Sequence, residues 1–239
     1  MYLFIFLLIC ILAIYPYLSL ASPSVCLEPS YTTITSEESG PTIALIGSVH
    51  GNEPAGAYTL LNLVHNLKVK KGKVILIAGN PCGVAYDTRM NPYSWNDINR
   101  EFYDSSYDHT ARKILELLHT NKVDVIVDFH EGWGWYTQNN LFGSIGSTLS
   151  PSPQSFWKDI VPSIIDELNT NLVNEKKFAI RWNMECDTST KTLQCYAHKH
   201  DIPYMLVETS GQNNIQPIED RIAQDTTIVR YILNYLGMI

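Results

Sequence analysis

Three short segments carry side chains that could hold a metal ion. They are His50-Gly51-Asn52-Glu53, Asp128-Phe129-His130-Glu131 and Val207-Glu208-Thr209. A His and a Glu three residues apart, at a turn from strand to helix, can aim an imidazole and a carboxylate at one ion. With His130 the set becomes two imidazoles and one carboxylate with an open fourth position, the pattern of hydrolytic zinc sites. Glu208 adds a further carboxylate. Between the first two segments lies a polar, aromatic loop with Arg89 and Asp97-Ile98-Asn99-Arg100. Two arginines and an asparagine beside a Lewis acid suit carboxylate recognition and oxyanion stabilisation. Each element alone is common, and a lone His is usually a surface or core residue. The meaning lies in whether the chain brings them together.

The apolar pattern says that it does. Runs rich in β-branched residues at 43–49, 73–78, 123–129 and 204–207 read as strands, with 178–183 as a further short one. Helical patterns cover 54–67, 110–119, 156–173, 192–200 and 218–236. Pro54 is tolerated in the first turn of its helix. Two long loops remain, at 80–108 and 131–153. This alternation predicts an α/β fold: a mixed, largely parallel central sheet flanked by helices on both faces. Runs without period-two alternation fit strands covered on both sides. In such sheets ligands bind beyond the carboxyl ends of strands. His50, His130 and Glu208 each stand at such an end, so all three segments meet on one rim. No Gly- or Pro-rich linker divides residues 22–239, which read as a single catalytic domain.

Composition narrows the partners. The chain has 17 Lys+Arg against 24 Asp+Glu, a net charge of −7, which argues against a nucleic-acid partner. Residues 2–15 carry no charge, the first acidic residue is Glu28 and the first basic one Lys68. Ser19-Leu20-Ala21 places small residues before a cleavage point, so residues 1–21 read as a signal peptide or an uncleaved anchor. That predicts a secreted, lumenal or periplasmic protein, touching a membrane only if residues 1–21 stay. Cys26, Cys82, Cys186 and Cys195 then remain, and four cysteines in an exported chain suggest disulfides with three possible connectivities. Cys186 and Cys195 are near enough to close a small loop. No Cys-x-x-Cys occurs, which argues against a cysteine zinc site. No Gly-x-Ser-x-Gly elbow supports a serine nucleophile. His65, His109, His119, His198 and His200 read as surface residues.

The segments His50-Gly51-Asn52-Glu53, Asn80-Pro81, Arg89, Asp97-Ile98-Asn99-Arg100-x-Phe102, Asp128-Phe129-His130 and Val207-Glu208 come in a familiar order. They resemble the zinc carboxypeptidase superfamily and, within it, the succinylglutamate desuccinylase/aspartoacylase family, from about Ile43 to the final helix. The resemblance implies a zinc carboxypeptidase-like three-layer fold and one zinc ion on His50, Glu53 and His130. It implies Glu208 as general base, Arg89 on the scissile carbonyl, and Asn99 and Arg100 on a substrate carboxylate. Asp97 would orient His50 from behind. Relatives in that family add a C-terminal β-rich domain; the expectation here is a catalytic domain without it. Arg89 also lies further from Asn99, implying an insertion around Asn91–Trp95.

The implied activity is hydrolysis of an amide bond in a carboxylate-bearing small molecule or peptide, as an N-acyl amino acid deacylase. A metallocarboxypeptidase acting on peptides or cell-wall muropeptides is the alternative, which a more open cleft would suit. A non-catalytic binding module on the same fold is the third.

Overall fold

The runs expected next to the candidate ligands are neighbouring strands in the computed structural model, which describes residues 26–137, 145–182 and 186–239. Four parallel strands form the middle of a seven-stranded sheet: β2 (Thr42–Gly47), β3 (Lys73–Ala78), β4 (Val125–Glu131) and β7 (Tyr204–Thr209). With β1 (Ser30–Thr35), β5 (Thr148–Pro151) and β6 (Ala179–Ile180), the order is β1-β3-β2-β4-β7-β5-β6. β1 closes one edge antiparallel to β3, while β5 runs antiparallel to β7 and carries β6. The sheet is therefore mixed and largely parallel. The proposed leader at 1–21 lies outside the described residues.

Helices cover both faces. On one side α1 (Ala55–Asn66), α4 (Ser155–Asn169) and α6 (Ile218–Tyr235) pack Leu60, Leu63, Ile164, Ile228 and Ile232 against Leu45, Val127 and Val207. On the other, α3 (His109–Thr120) and α5 (Leu193–Lys199) pack Ile114, Leu118, Leu193 and Ala197 against Ile46, Ile75 and Ile126. Burial on both faces explains why the central strands read as unbroken apolar runs.

Four elements differ from the sequence reading. The loop expected at 80–108 contains a short helix, α2 (Pro81–Tyr86), started by Asn80, whose side chain accepts from the Gly83 N–H. β5 sits within the loop expected at 131–153. β1 lies before the first expected strand. The strand expected at 178–183 is only Ala179–Ile180 among the described residues.

One buried charge pair joins the last helix to the sheet. Glu131, at the end of β4, takes Arg221 of α6 on Oε2 and the N–H of Ala55, at the start of α1, on Oε1 (2.6 Å). A Cβ at Gly211 would meet the Glu131 carboxylate and the Arg221 guanidinium, so the glycine leaves room for the pair. Both charged residues are buried. Burial pushes the Glu131 carboxyl up, against the Ala55 N–H and the Arg221 guanidinium. Arg221→Met is expected to lower stability by about 3–5 kcal/mol, read by denaturant melting, because it strands a buried carboxylate. An unchanged midpoint would show the pair to be dispensable.

Candidate functional site

The turn after β2 is built to present two side chains together. Ser48 takes the left-handed backbone conformation (φ 54°). Its hydroxyl donates to the Glu53 carbonyl (2.8 Å) and accepts from the Ala57 N–H (3.1 Å), closing the turn into α1. A Cβ at Gly51 would run into the backbone of Gly83, so this glycine lets α2 back directly onto the turn. His50 and Glu53 then face the end of β4. His130 and Glu208 are register partners on adjacent parallel strands, which puts their side chains on the same face.

The first three converge. His50 Nδ1 lies 2.9 Å from Glu53 Oε1, His130 Nδ1 lies 2.8 Å from Glu53 Oε2, and the two Nδ1 atoms are 3.2 Å apart. Metal–ligand bonds of ~2.0–2.1 Å in a tetrahedron give ligand separations of ~3.3 Å, close to this triangle. All three residues are buried.

The outer nitrogen of each imidazole meets an aspartate. His50 Nε2 is 3.0 Å from Asp97 Oδ1, and His130 Nε2 is 3.2 Å from Asp128 Oδ2. Asp128 Oδ2 is itself held by the Tyr204 hydroxyl at 2.7 Å. At His50 the hydrogen bond to Asp97 favours the Nε2–H tautomer and leaves the Nδ1 lone pair facing inward; at His130 the Asp128 carboxylate lies close to Nε2 without a hydrogen bond and favours the same tautomer by its charge alone. Two lone pairs and a carboxylate then point at one spot, and a small cation is what satisfies them. The residues fit a divalent ion of the zinc type. Glu53 is braced further by the Glu131 N–H (3.2 Å), Gln212 Nε2 (3.3 Å) and Arg89 Nη1 (3.3 Å).

The charges respond to this crowding. Burial raises the Glu53 carboxyl, but the two imidazoles overcome it and hold the group well below the usual carboxylate range. Burial opposes charge on His130, yet Asp128 and Glu53 raise its pKa well above that of a free imidazole. Without an ion, His130 therefore holds a proton that the metal must displace. Apparent metal affinity should rise with pH across the neutral range, by up to about tenfold per unit for one displaced proton. Competition with a chromophoric chelator reads it; a flat profile would contradict the displaced proton.

A cleft of about 420 Å³ opens over the three converging residues. Arg89, Asn99, Arg100 and Glu208 line it as well. Asp97 lies behind His50 and does not line it. Arg89 is committed to carboxylates: Nε and Nη2 reach Asp97 Oδ2 at 3.3 and 3.2 Å, and Nη1 stands beside Glu53. Asn99 Oδ1 accepts from the Leu193 N–H (3.0 Å), leaving its amide nitrogen for other partners. Arg100 is exposed and donates from Nη1 to the Asn99 carbonyl (2.7 Å).

Several contributors escape the sequence reading. Tyr204 and Gln212 reach the site only through the register and the chain's return after β7. Asp187, Thr190, Thr192 and Gln194 also line the cleft. Cys195 lines it too and is joined to Cys186. The pairing Cys26–Cys82 accounts for the other two cysteines. The aromatic loop residues Trp133, Trp135 and Tyr136 do not line the cleft, and Trp135 is buried. The five remaining histidines are exposed.

Residues 39–134 match the succinylglutamate desuccinylase/aspartoacylase catalytic domain. That stretch holds His50, Glu53, Arg89, Asp97, Asn99, Arg100 and His130, while Glu208 lies beyond it. The fold is shared with a tripeptide-bound cell shape determinant protein from Helicobacter pylori (18% identity, TM-score 0.74, covering 89% of this chain and 56% of that one). It is shared with succinylglutamate desuccinylase/aspartoacylase from Rhodobacter sphaeroides (21%, TM-score 0.60, 87% and 59%). It is also shared with the product-bound ectoine utilization protein from Ruegeria pomeroyi (20%, TM-score 0.62, 87% and 61%). The chain thus spans a little over half the length of these three proteins. No curated protein matches the chain in sequence.

Proposed function

We propose that the chain is a zinc-dependent hydrolase that cleaves an amide bond in a carboxylate-bearing substrate, acting as an N-acyl amino acid deacylase. The triangle of His50, Glu53 and His130, with Glu208 beside it on the next strand, carries this reading. The match of residues 39–134 to a desuccinylase/aspartoacylase catalytic domain supports the deacylase class. When bound, the ion supplies Lewis acidity and lowers the pKa of a water toward ~7.

The chain's own residues do the rest. Glu208 takes a proton from the attacking water as its oxygen bonds to the carbonyl carbon. It returns that proton to the leaving nitrogen as the C–N bond breaks. Arg89, at the edge of the triangle, steadies the negative charge on the carbonyl oxygen. Asn99 and Arg100 orient the substrate through its carboxylate. Asp97 and Asp128 hold the two imidazoles in their working tautomer. We also place the protein in an oxidising compartment outside the cytosol, reached through residues 1–21, because two cystine bridges suit such a setting.

A second reading, a metallocarboxypeptidase acting on peptides, draws support from the likeness to the tripeptide-bound Helicobacter pylori protein, with the higher TM-score of 0.74. A panel of N-acyl amino acids, peptides with a free C-terminus and muropeptides separates the two. The deacylase reading expects turnover of acyl amino acids that a chelator abolishes and zinc restores. Turnover of the peptides alone selects the second reading. Silence across the panel with metal-loaded protein would leave a binding module and overturn both.

A further inference from the structure

We propose that the Cys186–Cys195 bridge is a positioning device for substrate binding: it clamps a strap, residues 187–194, onto the segment that carries Asn99 and Arg100. The proposal rests on the hydrolase reading for what binds there, and on the strap's own geometry for the clamp. Asp187, Thr190, Thr192 and Gln194 of the strap line the cleft, as does Cys195 itself. The bridge joins the two ends of the strap, nine positions apart.

Two backbone amides stitch the strap to the site. The Leu193 N–H donates to Asn99 Oδ1 (3.0 Å), and the Phe102 N–H donates to the Lys191 carbonyl (3.0 Å). Asn99 and Arg100 therefore belong to a stretch, 99–102, that is tied to the strap at both ends. The first bond also turns the Asn99 amide so that its nitrogen is the end left for a carboxylate. Lys191 adds its ammonium over the Tyr103 ring, 4.1 Å from the centroid. A strap that swung away would release these contacts together, and with them the orientation of the groups proposed to hold substrate.

Burial cannot hold the strap in place. Residues 187–192 read Asp-Thr-Ser-Thr-Lys-Thr, with no apolar side chain to put into a core. The regular structure there is one short turn, Thr188–Thr190. Asp187 starts it by accepting from the Ser189 N–H (2.9 Å) and hydroxyl (2.6 Å). Those bonds shape the turn without fixing it to the rest of the molecule. Leu193 is where the chain rejoins the apolar core. A covalent tie across such a loop removes the conformations in which it opens. Strap contacts made equally in the bound substrate and the transition state act on KM and spare kcat.

Cys186→Ala tests the clamp, because it opens the bridge and keeps the Cys195 sulfur in the cleft lining. Three quantities are read on the full chain loaded with zinc: amide hydrogen exchange at Leu193 and Phe102, kinetics on the best substrate of the panel, and zinc content. Exchange at both amides should quicken by about tenfold or more. KM should rise about tenfold, with kcat and zinc content those of the parent. Unchanged exchange at the two amides would overturn the clamp, whether or not any substrate is turned over; a parent silent on the panel overturns the hydrolase reading instead. An unchanged KM beside faster exchange, or a loss of zinc, would equally overturn the positioning role. Exchange at the β4 amides reports folding, and if the variant does not fold the same amides are read on the parent with its bridges opened by a trialkylphosphine.

Discussion

Glu208→Gln is expected to bind zinc as the parent does and to lose about 10²–10⁴-fold in turnover, the usual worth of a positioned proton carrier. The substitution keeps side-chain shape and removes only the capacity to accept and return a proton. Glu208 is the register partner of His130, so the amide occupies the same place on the sheet face. The ligand triangle consists of other residues, so metal content should stay at one ion per chain. Two readouts are needed, turnover on the best substrate of the panel and metal stoichiometry of the purified variant. Turnover near that of the parent would remove Glu208 from the mechanism. Loss of metal along with turnover would recast it as a ligand.

His130→Ala is expected to lose metal outright. His130 closes two of the three sides of the triangle, to Glu53 Oε2 and to His50 Nδ1. Without it, two ligands remain, and Glu53 loses the neighbour that most strongly favours its charged form. Asp97→Asn provides the scale, because weakening a partner behind a metal-bound imidazole typically costs 10–100-fold in affinity. Removal of the imidazole itself should exceed that. Chelator competition on both variants reads the difference, and circular dichroism checks that each is folded. If His130→Ala binds zinc no worse than Asp97→Asn, His130 is no ligand.

The central strands and the ligand set are legible in the sequence for the same reason. A strand buried on both faces leaves an apolar run, and a polar residue that ends such a run stands out. His50, His130 and Glu208 all stand out in this way. β1 is hidden because Ser-Tyr-Thr-Thr-Ile-Thr is an edge strand, half exposed and with one aliphatic residue. β5 reads as loop because its four residues, Thr-Leu-Ser-Pro, gain burial only by pairing with β7 far along the chain. α2 carries its start signal in Asn80-Pro81, but six residues with an internal glycine give no helical period.

The supporting residues of the site are illegible for a different reason. Tyr204 touches Asp128 because the register sets Tyr204 opposite Ile126, two residues from that aspartate. Gln212 meets Glu53 and the Glu131 carbonyl only because the chain turns back after β7. Neither relation leaves a local spacing. The cysteines are intermediate: proximity in sequence points to Cys186–Cys195, while Cys26–Cys82 depends on β1 lying against β3.

The central claim is that His50, Glu53 and His130 together hold one divalent cation. A crystal of zinc-loaded protein, measured at the zinc absorption edge, tests it most directly. The expected anomalous map shows one strong peak, bonded to both imidazole Nδ1 atoms and the Glu53 carboxylate, with Glu208 beside it and unbonded. A map with no peak among these three side chains, or with its peak on other residues, would contradict the account.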